Sequence, residues 1–287
     1  MSRLFFFILI LVSISACTTT QTKLYTFNNG VTDVTGIGVD AIVDTFTYFF
    51  ILDTGASSTS FSTNYVNNGL TKKSTITILG ANMVHENCDL VRLKRFVFDD
   101  LFFKNFPILR CNRQYQTLIG VDVLDNHIWS LSVKPPEFKR VDNFPKDIPT
   151  NLMRRGPQRS ILMPIEIADR EVDALFDTGW STTAIDKKIV LAHPEIFKPV
   201  TDKDHDAMSE DATGQPIAIK YYRTSHLRMG VFDFSNQVIM EFDFKKEFIN
   251  MLGQEVHAVI GMSTISQAKW ILDLENNVYG VSFNSTK

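Results

Sequence analysis

The stretch "FILDTGASST" (residues 50–59) carries an aspartate out of an apolar run and straight into a Thr-Gly turn, and "ALFDTGWSTT" (174–183) does so again. Asp, Thr and Gly are ordinary turn residues, so a single copy would say little. Here the repetition extends well beyond the turn. Asp177 stands 124 residues after Asp53, and the residues before them align at that offset without a gap. "GVDAIVDTFTYFFILDTG" (38–55) lies over "LMPIEIADREVDALFDTG" (162–179). Each reads as a strand, a short polar turn and a second strand that delivers the aspartate. A hydroxyl-rich turn follows in both copies, "ASSTSF" and "WSTTAI", and then a short helix-like segment.

The correspondence continues downstream. "TLIGVDVL" (117–124) matches "AVIGMSTI" (258–265), and Trp129 follows Gly120 at the distance at which Trp270 follows Gly261. Two copies on this scale are two lobes of one fold, too long and too few for a solenoid. The expected lobes are residues 24–135 and 158–287. The proline-rich, basic stretch around 136–157 reads as an interlobe linker. Its "MRRG" is either a processing site or an exposed arginine pair. "DKDHDAMSED" (202–211) has the spacing of no defined metal loop and reads as a solvated acidic loop.

Composition suits a soluble globular protein with one large domain or two smaller ones. The chain has 287 residues, 44% of them hydrophobic, 23 phenylalanines and a net charge of −3. So small and mixed a charge argues against a nucleic-acid partner. The N-terminal "MSRLFFFILILVSISAC" has one basic residue and an apolar run too short to span a bilayer, the anatomy of a secretory signal over residues 1–16. Its ending, "ISAC", resembles the bacterial lipobox. That resemblance implies lipidation of Cys17, a polar tether over 17–23, and a place in the bacterial cell envelope, anchored to the outer membrane and facing the periplasm. In such a compartment Cys88 and Cys111 either pair or stay as buried thiols.

The doubled pattern of apolar residues, Asp-Thr-Gly, and a later apolar-apolar-Gly resembles the aspartic proteases of the pepsin and retropepsin type. The resemblance covers most of the chain after residue 35. It implies an all-β, two-lobed aspartic-protease fold, each lobe a retropepsin-like closed β-barrel, the two related by a pseudo-twofold axis. It also implies that Thr54 and Thr178 interlock across the lobe interface, that Gly120 and Gly261 pack beside the active-site loops, and that a flap closes over substrate. The candidate flaps are "TILGANMVHE" (77–86), with Gly80 and Ala81, and "EDATGQPIAIK" (210–220), with Gly214.

The chemistry explains why two aspartates are needed. Two carboxylates a few ångströms apart cannot both ionise comfortably, so the pair holds one proton between them. One then acts as base toward a water and the other as acid toward the amide, with Gly55 and Gly179 letting backbone approach the carboxylates closely. Asp53 and Asp177 are thus the expected catalytic pair of an endopeptidase, with no metal and no cofactor. Both lie on one chain, so no dimer is required. A non-catalytic peptide- or envelope-binding lipoprotein on the same scaffold is the alternative. One departure stands out: pepsin-like enzymes usually carry Ser or Thr after each glycine, where this chain has Ala56 and Trp180. Trp180 either lines a substrate pocket or packs into the lobe core.

Overall fold

Each repeat opens with a hairpin whose apolar residues turn inward. Strand β1 (Leu24–Phe27) lies along β2 (Gly36–Val43), which turns at Asp44 into β3 (Phe46–Leu52), with Val43 opposite Phe46. In the computed structural model the described residues are 22–27, 34–63, 70–79, 85–112, 117–200, 208–210, 216–218, 220–244, 249–250, 252–253 and 255–283. The first lobe continues with β4 (Ser60–Ser62), β5 (Ser74–Leu79), β6 (His85–Phe98), β7 (Leu101–Cys111) and β8 (Leu118–Ile119). A short helix α1 (Val121–Leu124) and β9 (Ile128–Val133) follow. Strands β2, β3, β8, β4, β7 and β6 pair in that order, and β6 returns to β2 through Ile42–Val97 and Val43–Phe96, which closes a barrel.

The second half repeats the plan with β13 (Ile161–Ile167), β14 (Arg170–Phe176), β15 (Ala184–Asp186), α2 (Lys187–Ala192), β16 (Phe197–Pro199), β17 (Met208–Glu210), β18 (Pro216–Ala218) and β19 (Tyr221–Thr224). It ends with β20 (Arg228–Met229), β21 (Phe232–Asp233), β22 (Gln237–Phe242), β23 (Ala258–Ile260), α3 (Met262–Ile265), β24 (Ala268–Asp273) and β25 (Val278–Phe283). Its ring runs β13, β14, β23, β15, β22, β19, and the chain passes from β19 to β20, which pairs back to β13 at Glu166–Arg228. The fold is therefore all-β and two-lobed, as expected. The unbroken fourteen residues of β6 correspond to β18, β19 and β20 together. Their turns match: Phe98 pairs with Leu101 and Met229 with Phe232, each position 131 residues after its counterpart. Even the exceptions repeat. Asn105 and Asn236 both sit at positive φ, and their carbonyls accept from Arg92 and Arg223 at 2.9 and 3.0 Å.

The segment 136–157, expected as a linker, is built into sheet structure. Strand β10 (Pro136–Val141) pairs with β9, β11 (Thr150–Leu152) with β25, and β12 (Arg154–Arg155) with β13. The resulting five-stranded sheet runs β10, β9, β24, β25, β11 and joins the lobes, since β9 of the first pairs with β24 of the second. Proline at the first position of β10 needs no ladder partner for its nitrogen, which is why a proline-rich stretch can still supply an edge strand. Arg155 of "MRRG" is not free chain but is ion-paired to Asp125 at 3.0 Å.

The repeated tryptophans, Trp129 on β9 and Trp270 on β24, belong to this sheet and are fully buried. Trp129 stacks on Phe138 at 4.8 Å and Trp270 on Phe234 at 5.8 Å. Their indole N–H groups donate to the carbonyls of Leu124 and Ile265, at 2.7 and 2.8 Å, fastening the ends of α1 and α3. The repeated Trp thus serves packing and a helix end.

Cys88 and Cys111 form a disulfide between β6 and β7. Their Cα atoms are 4.4 Å apart, the separation of a non-hydrogen-bonded antiparallel pair. The bridge spans 23 residues, so its loss through Cys88→Ser with Cys111→Ser is expected to cost about 3 kcal/mol of unfolding free energy. Urea unfolding of the double variant beside the oxidised chain measures this.

Candidate active site

Each aspartate leaves its strand at the point where the strand changes neighbours. Strand β3 runs parallel to β8, with Leu52 beside Ile119, and β14 runs parallel to β23, with Phe176 beside Ile260. One residue further on, the N–H of Asp53 donates to Ile119 O and that of Asp177 to Ile260 O, both at 3.0 Å. The last ladder bond therefore pins the backbone of the aspartate itself, and the chain then turns through Thr-Gly.

The turns are locked across the lobes by a reciprocal set of four hydrogen bonds. Thr54 Oγ1 donates to Phe176 O at 2.8 Å and accepts from the N–H of Thr178 at 3.0 Å. Thr178 Oγ1 donates to Leu52 O at 2.7 Å and accepts from the N–H of Thr54 at 3.1 Å. Both threonines are buried, at 1% and 0% exposure, so each bond is made out of water's reach.

This clamp brings the carboxyl groups together. Gly55 and Ala56 each donate N–H to Asp53 Oδ1 at 3.0 Å, and Gly179 donates to Asp177 Oδ1 at 2.8 Å. The Asp177 carboxyl lies against the Gly55 backbone across the interface, and the Asp53 carboxyl against that of Gly179. A Cβ on Gly55 would lie 2.2 Å from Asp177 Oδ2, and one on Gly179 2.6 Å from Asp53 Cγ. Each glycine is therefore where the opposite carboxylate presses against backbone. Asp177 is 7% exposed while Asp53 is half-buried.

Burial first, and then the charge of Asp53, push the Asp177 carboxyl well above its ordinary value of 3.8. The pair therefore keeps one proton into a pH range where an isolated aspartate has lost it, and the two carboxyl groups titrate as a unit. The folded state holds a proton that the unfolded chain releases above about pH 4. Stability contributed by this group is therefore complete at low pH and lost as pH rises toward the raised folded value. Asn cannot ionise, so Asp177→Asn is expected to raise Tm at pH 7, and by more than at pH 4, by about 2–4 °C for every kcal/mol recovered. Calorimetric melting of both proteins at the two pH values checks it.

A second layer of hydrogen bonds, which no motif marks in the sequence, holds the turns in place. In the first lobe the N–H and Oγ1 of Thr59 donate to Asp122 Oδ1 at 2.8 and 2.7 Å, and Gly120 N–H donates to Thr59 Oγ1 at 3.1 Å. In the second, Gly261 N–H donates to Thr183 Oγ1 at 3.1 Å and Thr183 N–H to Ser263 Oγ at 2.9 Å. Burial raises the Asp122 carboxyl, and its bonds to Thr59 oppose the shift. Thr59 and Thr183 keep the 124-residue register, so the repeat itself was the signal. Gly120 and Gly261 lie beside the turns: an added Cβ would meet Ser58 C at 2.6 Å and Trp180 O at 2.7 Å.

Both flap candidates belong to hairpins. Strands β5 and β6 pair from Ser74–Leu90 to Leu79–His85, and β17 and β18 from Met208–Ala218 to Glu210–Pro216. The expected acidic loop at 202–211 therefore ends in a strand. The tips, with Gly80, Ala81 and Gly214, lie outside the described residues, as does Cys17. Trp180 packs edge-on against Phe242, ring centroids 5.2 Å apart, and joins a cluster with Leu162, Leu175 and Met240. Ala56 offers the dyad its N–H but no hydroxyl.

Among the described residues, two groups bring three metal-capable side chains within 4.8 Å, and neither includes the dyad. In one the two sulfurs are joined as the disulfide; in the other Glu166 is ion-paired with His226 at 3.2 Å and Arg228 at 3.6 Å.

Comparison with known proteins agrees with this architecture. A family model described as aspartyl protease matches residues 163–264, from β13 through Asp177 to α3. No curated protein matches the sequence. Among solved structures, the crystal structure of basic 7S globulin from soybean is similar at a TM-score of 0.56 and 8% identity, covering 92% of this chain and 95% of that one. So low an identity speaks to the fold alone.

Proposed function

We propose that the chain is an aspartic endopeptidase that hydrolyses peptide bonds with a water activated between Asp53 and Asp177. One observation carries the reading: the threonine clamp holds two carboxyl groups together across the lobe interface, each pressed against the backbone of the opposite glycine. Asp53, half-buried and served by two N–H groups at 3.0 Å, is suited to act as the base that takes a proton from water. Protonated Asp177 is suited to polarise the scissile carbonyl and later to return a proton toward the amide nitrogen. The threonine clamp holds both groups still through the reaction, so that little reorganisation is needed as charge develops. We take the paired hairpins to hold an extended peptide by backbone pairing. By this reading no cofactor, metal or second copy of the chain takes part. The chain is exported and held by a lipid on Cys17 at the bacterial outer membrane, facing the periplasm.

A statine-type peptide, which carries a tetrahedral hydroxyl in place of the scissile carbonyl, tests the reading. Transition-state analogues bind about a hundredfold or more tighter than comparable substrates. Wild-type chain should bind the statine peptide that much more tightly than its amide counterpart, and Asp53→Asn should lose the difference. Equal affinity for both peptides would leave a peptide-binding scaffold without catalysis.

Ala56 sets an expected pH profile. A hydroxyl at this position would donate to the charged carboxylate and lower its pKa; Ala56 offers none. The optimum should therefore lie in weak acid, and Ala56→Ser should move the acid limb of kcat/KM downward. A pH–rate profile of the two proteins shows whether it does.

A further inference from the structure

We infer that the end of the first lobe opposite the dyad is a docking face for a lipid bilayer bearing anionic headgroups, which holds the cleft away from the membrane. This rests on the proposed lipid anchor at Cys17 and adds to it an orientation.

Three observations converge on that end. The first is where the chain enters. Thr22 Oγ1 donates to Asp99 Oδ1 at 3.0 Å, so the N-terminus is fastened at the turn between β6 and β7. Cys17 is five residues before Thr22, a reach of at most about 17 Å. A lipid on Cys17 therefore keeps the bilayer within that reach of this turn. Strand β3 has seven residues and runs from the β2–β3 turn to Asp53, which places that turn about 23 Å from the dyad.

The second is exposed aromatic surface. Phe46, beside the β2–β3 turn, is 67% exposed, and Phe102, beside the β6–β7 turn, is 62% exposed. Val43 pairs with both Phe46 and Phe96, so the β2–β3 turn lies against β6 three residues before the β6–β7 turn at Asp99.

The third is charge. Arg92, Lys94, Arg95 and Lys104 are all exposed along this part of β6 and β7, and the Arg95 guanidinium lies over the Phe102 ring at 5.8 Å. Of the nearby acids one is ion-paired, and the other two are outnumbered by these four cations. Asp44 accepts the Arg95 N–H, Asp99 accepts from Thr22 and the Arg140 N–H, and Asp100 is ion-paired with Arg140. In a chain whose net charge is −3, this local excess of cations around exposed phenylalanine is a departure from the whole. Aromatic side chains that reach the acyl boundary, ringed by long cations that reach the headgroups, are the chemistry of an interfacial contact. Each cation near an anionic surface strengthens the attraction by about fivefold.

The test uses the full-length, acylated chain in vesicles of phosphatidylcholine with or without phosphatidylglycerol, the lipid brominated in its acyl chains. Phe102→Trp places a reporter in the face, and Ile76→Trp places one on the flap hairpin. Flotation reads the anchor, and quenching by bromine reads the contact. The expected result is a floating chain in which Phe102→Trp is quenched, more so with phosphatidylglycerol, while Ile76→Trp is not. Adding Lys94→Glu with Lys104→Glu should remove most of that quenching without loss of flotation or of hydrolysis of a soluble peptide. A chain that floats with Phe102→Trp no more quenched than Ile76→Trp overturns the docking face and leaves the anchor standing. A second copy of the chain on this face would give that result together with a dimer in detergent. Flotation that is absent, or that survives Cys17→Ser, overturns the anchor and the docking face with it.

Discussion

Asp53→Asn and Asp177→Asn should each lower the turnover of a peptide substrate by about a thousandfold or more, with folding intact. The magnitude is that of general acid–base catalysis, and removing either member removes the whole, because residues that act as a unit are not additive. The double variant should therefore be little worse than either single one. Asn replaces the carboxyl with an amide of the same shape, and the N–H groups of Gly55, Ala56 and Gly179 still find an oxygen to donate to. Loss of turnover without loss of melting cooperativity is the expected pairing of results. Near-normal turnover in either single variant would refute the dyad.

Thr178→Val should be nearly as damaging, through the clamp. Valine fills the same volume but leaves Leu52 O without its donor and the N–H of Thr54 without its acceptor, both in a buried interface. Each unmet group costs about 1–3 kcal/mol, so a loss of about 3 kcal/mol in unfolding free energy is expected. Turnover should fall as well, because the same bonds set the distance between the carboxyl groups. Thr178→Ser keeps the hydroxyl and should recover most of both. Denaturant unfolding and peptide turnover of the two variants separate a lost hydrogen bond from a lost methyl.

Much of this site was legible in the sequence because duplication makes a short motif readable. Asp53 and Asp177 are informative only as a pair in register, and the hairpins that deliver them follow from apolar runs broken at Asp44 and Asp169. Other features depend on distant partners. Thr59 looks like any turn hydroxyl until Asp122, 63 residues away, is seen to accept from it. The strand at 136–141 has a proline and little periodicity, and owes its form to β9 rather than to its own pattern. Cys88 and Cys111 left pairing open, because only the register of β6 against β7 puts them opposite each other. Trp180 follows a catalytic-type turn yet packs on Phe242, a contact that local sequence does not encode.

One measurement bears most directly on the central claim. Purified chain is incubated with a denatured protein mixture from pH 3 to pH 7, with and without a statine-type peptide, and the ends produced are identified by mass spectrometry. A proton-sharing dyad predicts new ends from wild type, most abundant in weak acid, suppressed by the statine peptide and missing with Asp53→Asn. No new ends from wild type at any pH, or the same ends from Asp53→Asn, would contradict it.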